Sequence, residues 1–153
     1  MDARRAARYE RIYNQLRELI EGRSPDLLAA MATVCAVLHA KMSHHLWTGF
    51  YFVDGDRLRV GPYQGPVACQ TLEGRGTCVE SVRVRGPVVV PDVHAFPGHV
   101  ACDARAQSEI VVPVLRGEEV AAVLDIDSDR PAQFAEADVE PLRRILSLLR
   151  PYL

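Results

Sequence analysis

The chain is short of several things, and each shortage excludes a class of protein. No stretch of it reaches the ~18 consecutive apolar residues that a membrane-spanning helix needs. Residues 1–13 are interrupted by charges throughout and hold no apolar segment of a secretory signal, so a soluble, cytoplasmic protein with no membrane partner is expected. Charge of one sign is not in surplus: 18 Lys and Arg stand against 20 Asp and Glu, a formal net charge of −2. With the basic residues scattered, nothing argues for a nucleic-acid partner. Internal repeats and low-complexity segments are missing. So is any Cys-x-x-Cys pair.

What is present suits one domain over 1–153. Hydrophobic residues make up 48% of the chain and charged ones 25%, ordinary globular material. Residues 3–22 read as an amphipathic helix, with Tyr9, Ile12, Tyr13, Leu16, Leu19 and Ile20 at helical spacing and Gly22 as its stop. Ser24 as N-cap and Pro25 at the first helical position predict a second, mostly apolar helix to about Met42. Over about 43–128 the period changes. "LWTGFYFV" and "RLRVGPY" flank an Asp-Gly turn at 54–56, a hairpin signal. Residues 64–78 read as loop, with a short helix after "GRG" at 74–76 and a short strand at "PVVVPDV". Residues 94–108 form an excursion without periodicity. "EIVVPVLRGEEVAAVLDID" reads as a second hairpin turning at Arg116-Gly117. In the last part, 129–153, a terminal helix from Phe134 to about Arg150 carries Leu142, Ile145, Leu146 and Leu149 on one side. Strands joined by tight turns predict a central antiparallel sheet of the α+β class. The helices of the two chain ends cover one face, and the irregular residues 64–108 must cover the other as a loop-covered pocket.

Candidate chemistry gathers on that second face. Asp125 and Asp127 stand two apart on one strand and point the same way, while Leu124 and Ile126 point to the core. They are either solvated acids or turn caps at a strand end, or a cation-binding pair. Glu109 lies across the hairpin from about 125–127, and the register decides whether it joins them. Three converging carboxylates would hold an ammonium group or a hard metal ion. Trp47, Gly49 and Tyr51 share a face opposite the apolar set Leu46, Thr48, Phe50 and Phe52. Trp47 and Tyr51 are either packing under a loop or an aromatic wall for a small ligand.

Four cysteines complete the inventory: Cys35, Cys69, Cys78 and Cys102. Cys35, inside an apolar helix, reads as a packing residue. The other three lie in connecting segments, where function concentrates. A zinc site could be drawn from Cys69, Cys78, His94, His99 and Cys102, though the spacing fits no common zinc module. Burial and redox chemistry are the other readings. A nucleophilic Cys needs thiolate character, and a second Cys within reach can resolve a sulfenic acid to a disulfide.

In "LWTGFYFV", "LRVGPYQGPVAC", "GRGTC", "PDVHAFPGHVACDARAQSEIVVP" and "VLDIDSDRPAQF" the chain resembles the GAF-domain free methionine-(R)-sulfoxide reductases, over roughly residues 40–138. The resemblance implies a GAF fold and a thiol reaction. Cys102 would attack the sulfoxide sulfur of free methionine-(R)-sulfoxide and become a sulfenic acid. Cys69 would close a disulfide with it, thioredoxin would serve as electron donor, and Cys78 would take a less central part. Glu109, Asp125 and Asp127 match the carboxylates that bind substrate and assist proton transfer, with Glu109 expected to donate the proton. Trp47 and Tyr51 match the aromatic positions around the methyl-sulfinyl group. No bound cofactor or metal is implied, and the role is repair of oxidative damage. A non-catalytic GAF module that senses a small ligand or redox state is the alternative. Two details depart from the family pattern: Cys69 and Cys78 are one residue closer than usual, and Val79 stands where Gly is expected. The polar N-terminal helix, outside the motifs, is expected to support a homodimer.

Overall fold

The computed structural model describes all residues from Met1 to Leu153. Two helices open the chain. The first, α1 (Ala3–Ile20), starts at Asp2, whose carboxylate accepts the Arg5 N–H at 2.8 Å. Tyr9, Ile12, Leu16 and Ile20 form its buried stripe. Leu19, expected in that stripe, is 47% exposed, because it lies a step round the helix from the strip its neighbours cover. The cap of α2 (Leu27–Lys41) is Asp26 rather than Ser24, so this helix begins two residues later than expected. Asp26 accepts the Ala29 N–H at 2.9 Å and adds a negative charge at the helix N-terminus, which Ser24 would not supply.

Strands β1 (Trp47–Asp54) and β2 (Arg57–Gln64) form the first hairpin, with Gly55 at its turn in the left-handed region, φ +64°. A strand absent from the sequence reading follows: β3 (Thr71–Glu73) pairs with the start of β2, Arg57–Arg59. Three residues are too few to show a period. Next come α3 (Thr77–Val84), β4 (Val88–Val90), β5 (Ser108–Arg116) and β6 (Glu119–Ser128). The expected single terminal helix is divided. Only α4 (Val139–Leu146) is α-helical, between 3-10 turns at Glu136–Asp138 and Ser147–Tyr152. Its start is set by buried Asp138, which accepts the Ala135 N–H and the Tyr9 hydroxyl, each at 2.9 Å, and pairs with Arg5 at 2.8 Å. Near its end Pro151 lacks the N–H that would extend the helix.

The six strands are antiparallel in the order β3-β2-β1-β6-β5-β4. One face carries Phe50, Ile110, Val112, Leu124 and Ile126 into a core of 24 buried residues shared with α1, α2 and α4. Each such side chain contributes about 1.5–3 kcal/mol by leaving water. The opposite face carries a smaller cluster, including Trp47, Tyr51, Cys78, Val111 and Val123, under α3 and the irregular connections. The α+β arrangement expected from the sequence, helices on one face and a loop-covered pocket on the other, is the architecture found.

Candidate active site

The site is built on three adjacent central strands. Trp47 pairs with Asp127, and Asp127 with Glu109, in one row across the sheet. Gly49, Asp125 and Val111 form the next row, and Tyr51 and Val123 the third. Opposed residues share a face, so the three carboxyls and the two aromatics converge under the loops. Gly49 is required there: a Cβ on it would lie 2.3 Å from Cη2 of Trp47 and 2.4 Å from Cβ of Tyr63. The Trp47 ring lies across this position and stacks on Tyr63, ring centres 5.3 Å apart, with Tyr51 at 5.7 Å.

Charge is concentrated and unbalanced on this floor. Glu109 and Asp125 are buried, and no ion pair reaches either of them or Asp127. Thr77, at the first turn of α3, donates its hydroxyl to Glu109 at 2.5 Å. Burial first, then the charges of Asp127 and Glu109, push the Asp125 carboxyl well above the usual range. Asp127 is raised in the same direction by burial, then by Glu109 and Asp103. A proton therefore stays in this cluster where an exposed trio would lose it. Oδ1 of Asp125 and Nε1 of Trp47 are both buried without a hydrogen-bond partner.

The thiols divide by location. Cys69 and Cys102 are joined in a disulfide above the floor, Cα atoms 5.3 Å apart, closing a loop of 33 residues in sequence separation. The Tyr51 hydroxyl donates to the Cys69 carbonyl at 2.8 Å and ties that segment to the aromatic wall. Cys78 is buried at the start of α3 with a free thiol. Burial, then the charge of Asp125, pushes this thiol well above its ordinary value, so it stays protonated and is a poor nucleophile. Cys35 is on the opposite face, where burial pushes its thiol up to about 12 and it donates to the Pro62 carbonyl at 3.4 Å, as a packing residue would. With Cys69 and Cys102 bonded to each other, the Cys/His zinc set is not assembled.

The cavity between floor and disulfide has an unfilled volume of about 580 Å³, mouth included, of which only about 40 Å³ admits a water-sized body. At ~10–15 Å³ per water of such space, the disulfide-closed site has room for a few waters. Residues that reasoning from sequence did not single out also border it. Thr77 holds Glu109, and Arg75 and His99 bring basic groups to the rim. Arg75 and His99 sit in aperiodic segments and Thr77 is the first residue of α3, so no pattern in the sequence marks any of them as inward. Tyr63 stands beside Trp47 only because the pairing of β1 with β2 shifts by one between Gly49 and Tyr51, since the alternation of Leu58 and Val60 would put it on the other face.

A buried acidic floor, an aromatic wall and a disulfide above them thus meet on one face of the antiparallel sheet. The sequence profile of the GAF domain matches residues 25–150. A free methionine-R-sulfoxide reductase of Escherichia coli K12 is 38% identical over 129 residues, 84% of this chain and 78% of that protein. The X-ray structure of a free methionine-R-sulfoxide reductase from Neisseria meningitidis in complex with its substrate superposes with a TM-score of 0.93 at 37% identity, covering 99% of this chain and 92% of that one. A crystal structure described as a putative GAF sensor protein from Burkholderia vietnamiensis gives 0.89 at 39% identity, over 96% and 94%. The chain belongs to the GAF domain family and, within it, to the family of the free methionine-R-sulfoxide reductases.

Proposed function

We propose that this chain reduces free methionine-(R)-sulfoxide to methionine, using Cys102 as nucleophile, Cys69 as resolving thiol and thioredoxin as reductant. The observation that supports it most directly is the Cys69–Cys102 disulfide directly above three converging carboxyls, of which Glu109 and Asp125 are buried. A free amino acid brings an ammonium, which the floor suits, and a methyl, which Trp47 and Tyr51 suit. Arg75 at the rim offers charge of the sign that an amino acid's carboxylate needs.

The Cys102 thiolate attacks the sulfoxide sulfur while a carboxyl protonates the oxygen. The attack forms an S–S bond to the substrate. The oxygen then passes to the Cys102 sulfur as the substrate's S–O and S–S bonds break, methionine leaves with an electron pair on its sulfur, and Cys102 is left as a sulfenic acid. The Cys69 thiol then displaces it as water and forms the disulfide. Two electrons from a thioredoxin dithiol restore both thiols by exchange. The proton comes from the cluster of Glu109, Asp125 and Asp127, in which burial and the neighbouring carboxylates raise Asp125 and Asp127. Recycling by thioredoxin suits the reducing cytoplasm.

The test is NADPH consumption with thioredoxin and thioredoxin reductase. The R epimer of free methionine sulfoxide, the S epimer and a peptide containing oxidised methionine are offered in parallel. Turnover of the free R epimer alone is expected. Binding of methionine sulfoxide with no turnover would replace this reading with a sensing module.

A further inference from the structure

Cys78 has no part in the disulfide and no part in the reaction above, yet it is buried against the acidic floor. Its Sγ, a Glu109 carboxylate oxygen and an Asp125 carboxylate oxygen all lie within 4.8 Å of one another. No cation neutralises this group, and Oδ1 of Asp125, 94% buried by residue, has no partner at all. One sulfur and two carboxylate oxygens converging on a cavity that admits little more than a few waters match a small thiophilic dication.

We propose that Cys78, Glu109 and Asp125 form a binding site for a thiophilic divalent cation of the Zn²⁺ or Cd²⁺ type, occupying the place of the substrate's ammonium. Thiolate among the ligands selects against Mg²⁺ and Ca²⁺, which take oxygen. A tetrahedral ion with bonds of about 2.0–2.3 Å holds its ligand atoms roughly 3.5 Å apart, so the cluster needs to contract by at most about 1.3 Å, within reach of side-chain rotation. Binding releases the Cys78 proton to solvent and forms a metal–sulfur bond without any redox change. The site differs from a resident metal centre: the ion competes with an amino-acid ligand, and metal excess becomes an inhibitor. The competition rests on the proposed function, whereas the binding does not.

The experiment uses protein oxidised to the Cys69–Cys102 disulfide, which leaves Cys78 and Cys35 as the free thiols. Cd²⁺ is added and followed by its sulfur-to-metal charge-transfer band, and bound Cd²⁺ and Zn²⁺ are counted by equilibrium dialysis. One ion per chain and a band are expected. Cys78→Ser removes the band. Asp125→Asn and Glu109→Gln, close in shape to the originals, weaken binding by roughly tenfold or more. Cys35→Ala and His94→Ala change neither. No bound ion, a band that survives Cys78→Ser, or binding indifferent to both carboxyl variants would overturn the site. Near-ultraviolet circular dichroism confirms that each variant is folded, and the carboxyl variants carry the test if Cys78→Ser is not. With turnover established, Zn²⁺ is expected to raise KM for the sulfoxide at constant kcat. Inhibition of kcat alone would refute the overlap with the ammonium while leaving the dialysis result standing.

Discussion

Breaking the Cys69–Cys102 bond should cost the protein much of its stability, and the amount follows from the loop it closes. Cross-linking residues 33 apart removes about 12.5 cal/mol/K from the unfolded chain, or about 3.7 kcal/mol at 25 °C. In a domain of this size each kcal/mol moves the melting temperature by about 2–4 °C. Reduction with dithiothreitol should therefore lower the midpoint by roughly 7–15 °C. Cys69→Ser and Cys102→Ser should each melt like the reduced protein and ignore the reductant, whereas Cys78→Ser and Cys35→Ala should keep the response. Melting is followed by circular dichroism, with alkylation and mass spectrometry to verify the redox state. The loop is also the segment that Tyr51 ties to the sheet through the Cys69 carbonyl. Oxidised and reduced protein melting within about 1 °C of each other, with the disulfide confirmed present, would refute the reasoning. The closed loop would then be as ordered in the denatured chain as in the folded one.

Two further outcomes follow from the same geometry. Gly49→Ala should destabilise by about 1–3 kcal/mol in urea titration and abolish sulfoxide turnover, because the new methyl takes space held by Trp47 and Tyr63; a variant with normal activity would show that the Trp47 ring need not lie where it does. His44, buried beside Arg5 with its Nε2 3.0 Å from the guanidinium, is held down to about 4 by burial and then by that charge. The unfolded chain then binds more protons than the folded one between about 6.5 and about 4, so stability is full above that window and falls as pH drops through it. His44→Gln should flatten this acid limb, and an unchanged limb would move its cause elsewhere.

Much of this protein is legible one residue at a time. Alternation in "LWTGFYFV" and "VLDIDS" sorts Trp47, Tyr51, Asp125 and Asp127 from Phe50, Leu124 and Ile126, because a strand places neighbours on opposite faces whatever surrounds it. The same holds for the buried stripe of α1 and for the glycines of the two tight turns. For the cap of α2 the local pattern pointed to Ser24, and the structure uses Asp26 instead. Short or aperiodic pieces such as β3 and the Thr77 side chain escaped, since their placement depends on partners distant in the chain.

The site itself turned on a tertiary detail. Beside the turn, Arg116 pairs with Glu119 and Leu115 with Val120, a register that would set Glu109 opposite Ile126 and aim it into the apolar core. Between Val114 and Leu115 the pairing shifts by one, leaving Ala121 as the extra residue, and from there on Glu109 stands opposite Asp127. Composition and period determined that a half-buried sheet would carry two aspartates and two aromatics on one face. Only the packed sheet decided that Glu109 would join them: burying Ile110, Val112 and Val114 with Ala122, Leu124 and Ile126 is worth more than an unbroken hairpin, and the bulge that allows it brings the third carboxyl onto the floor.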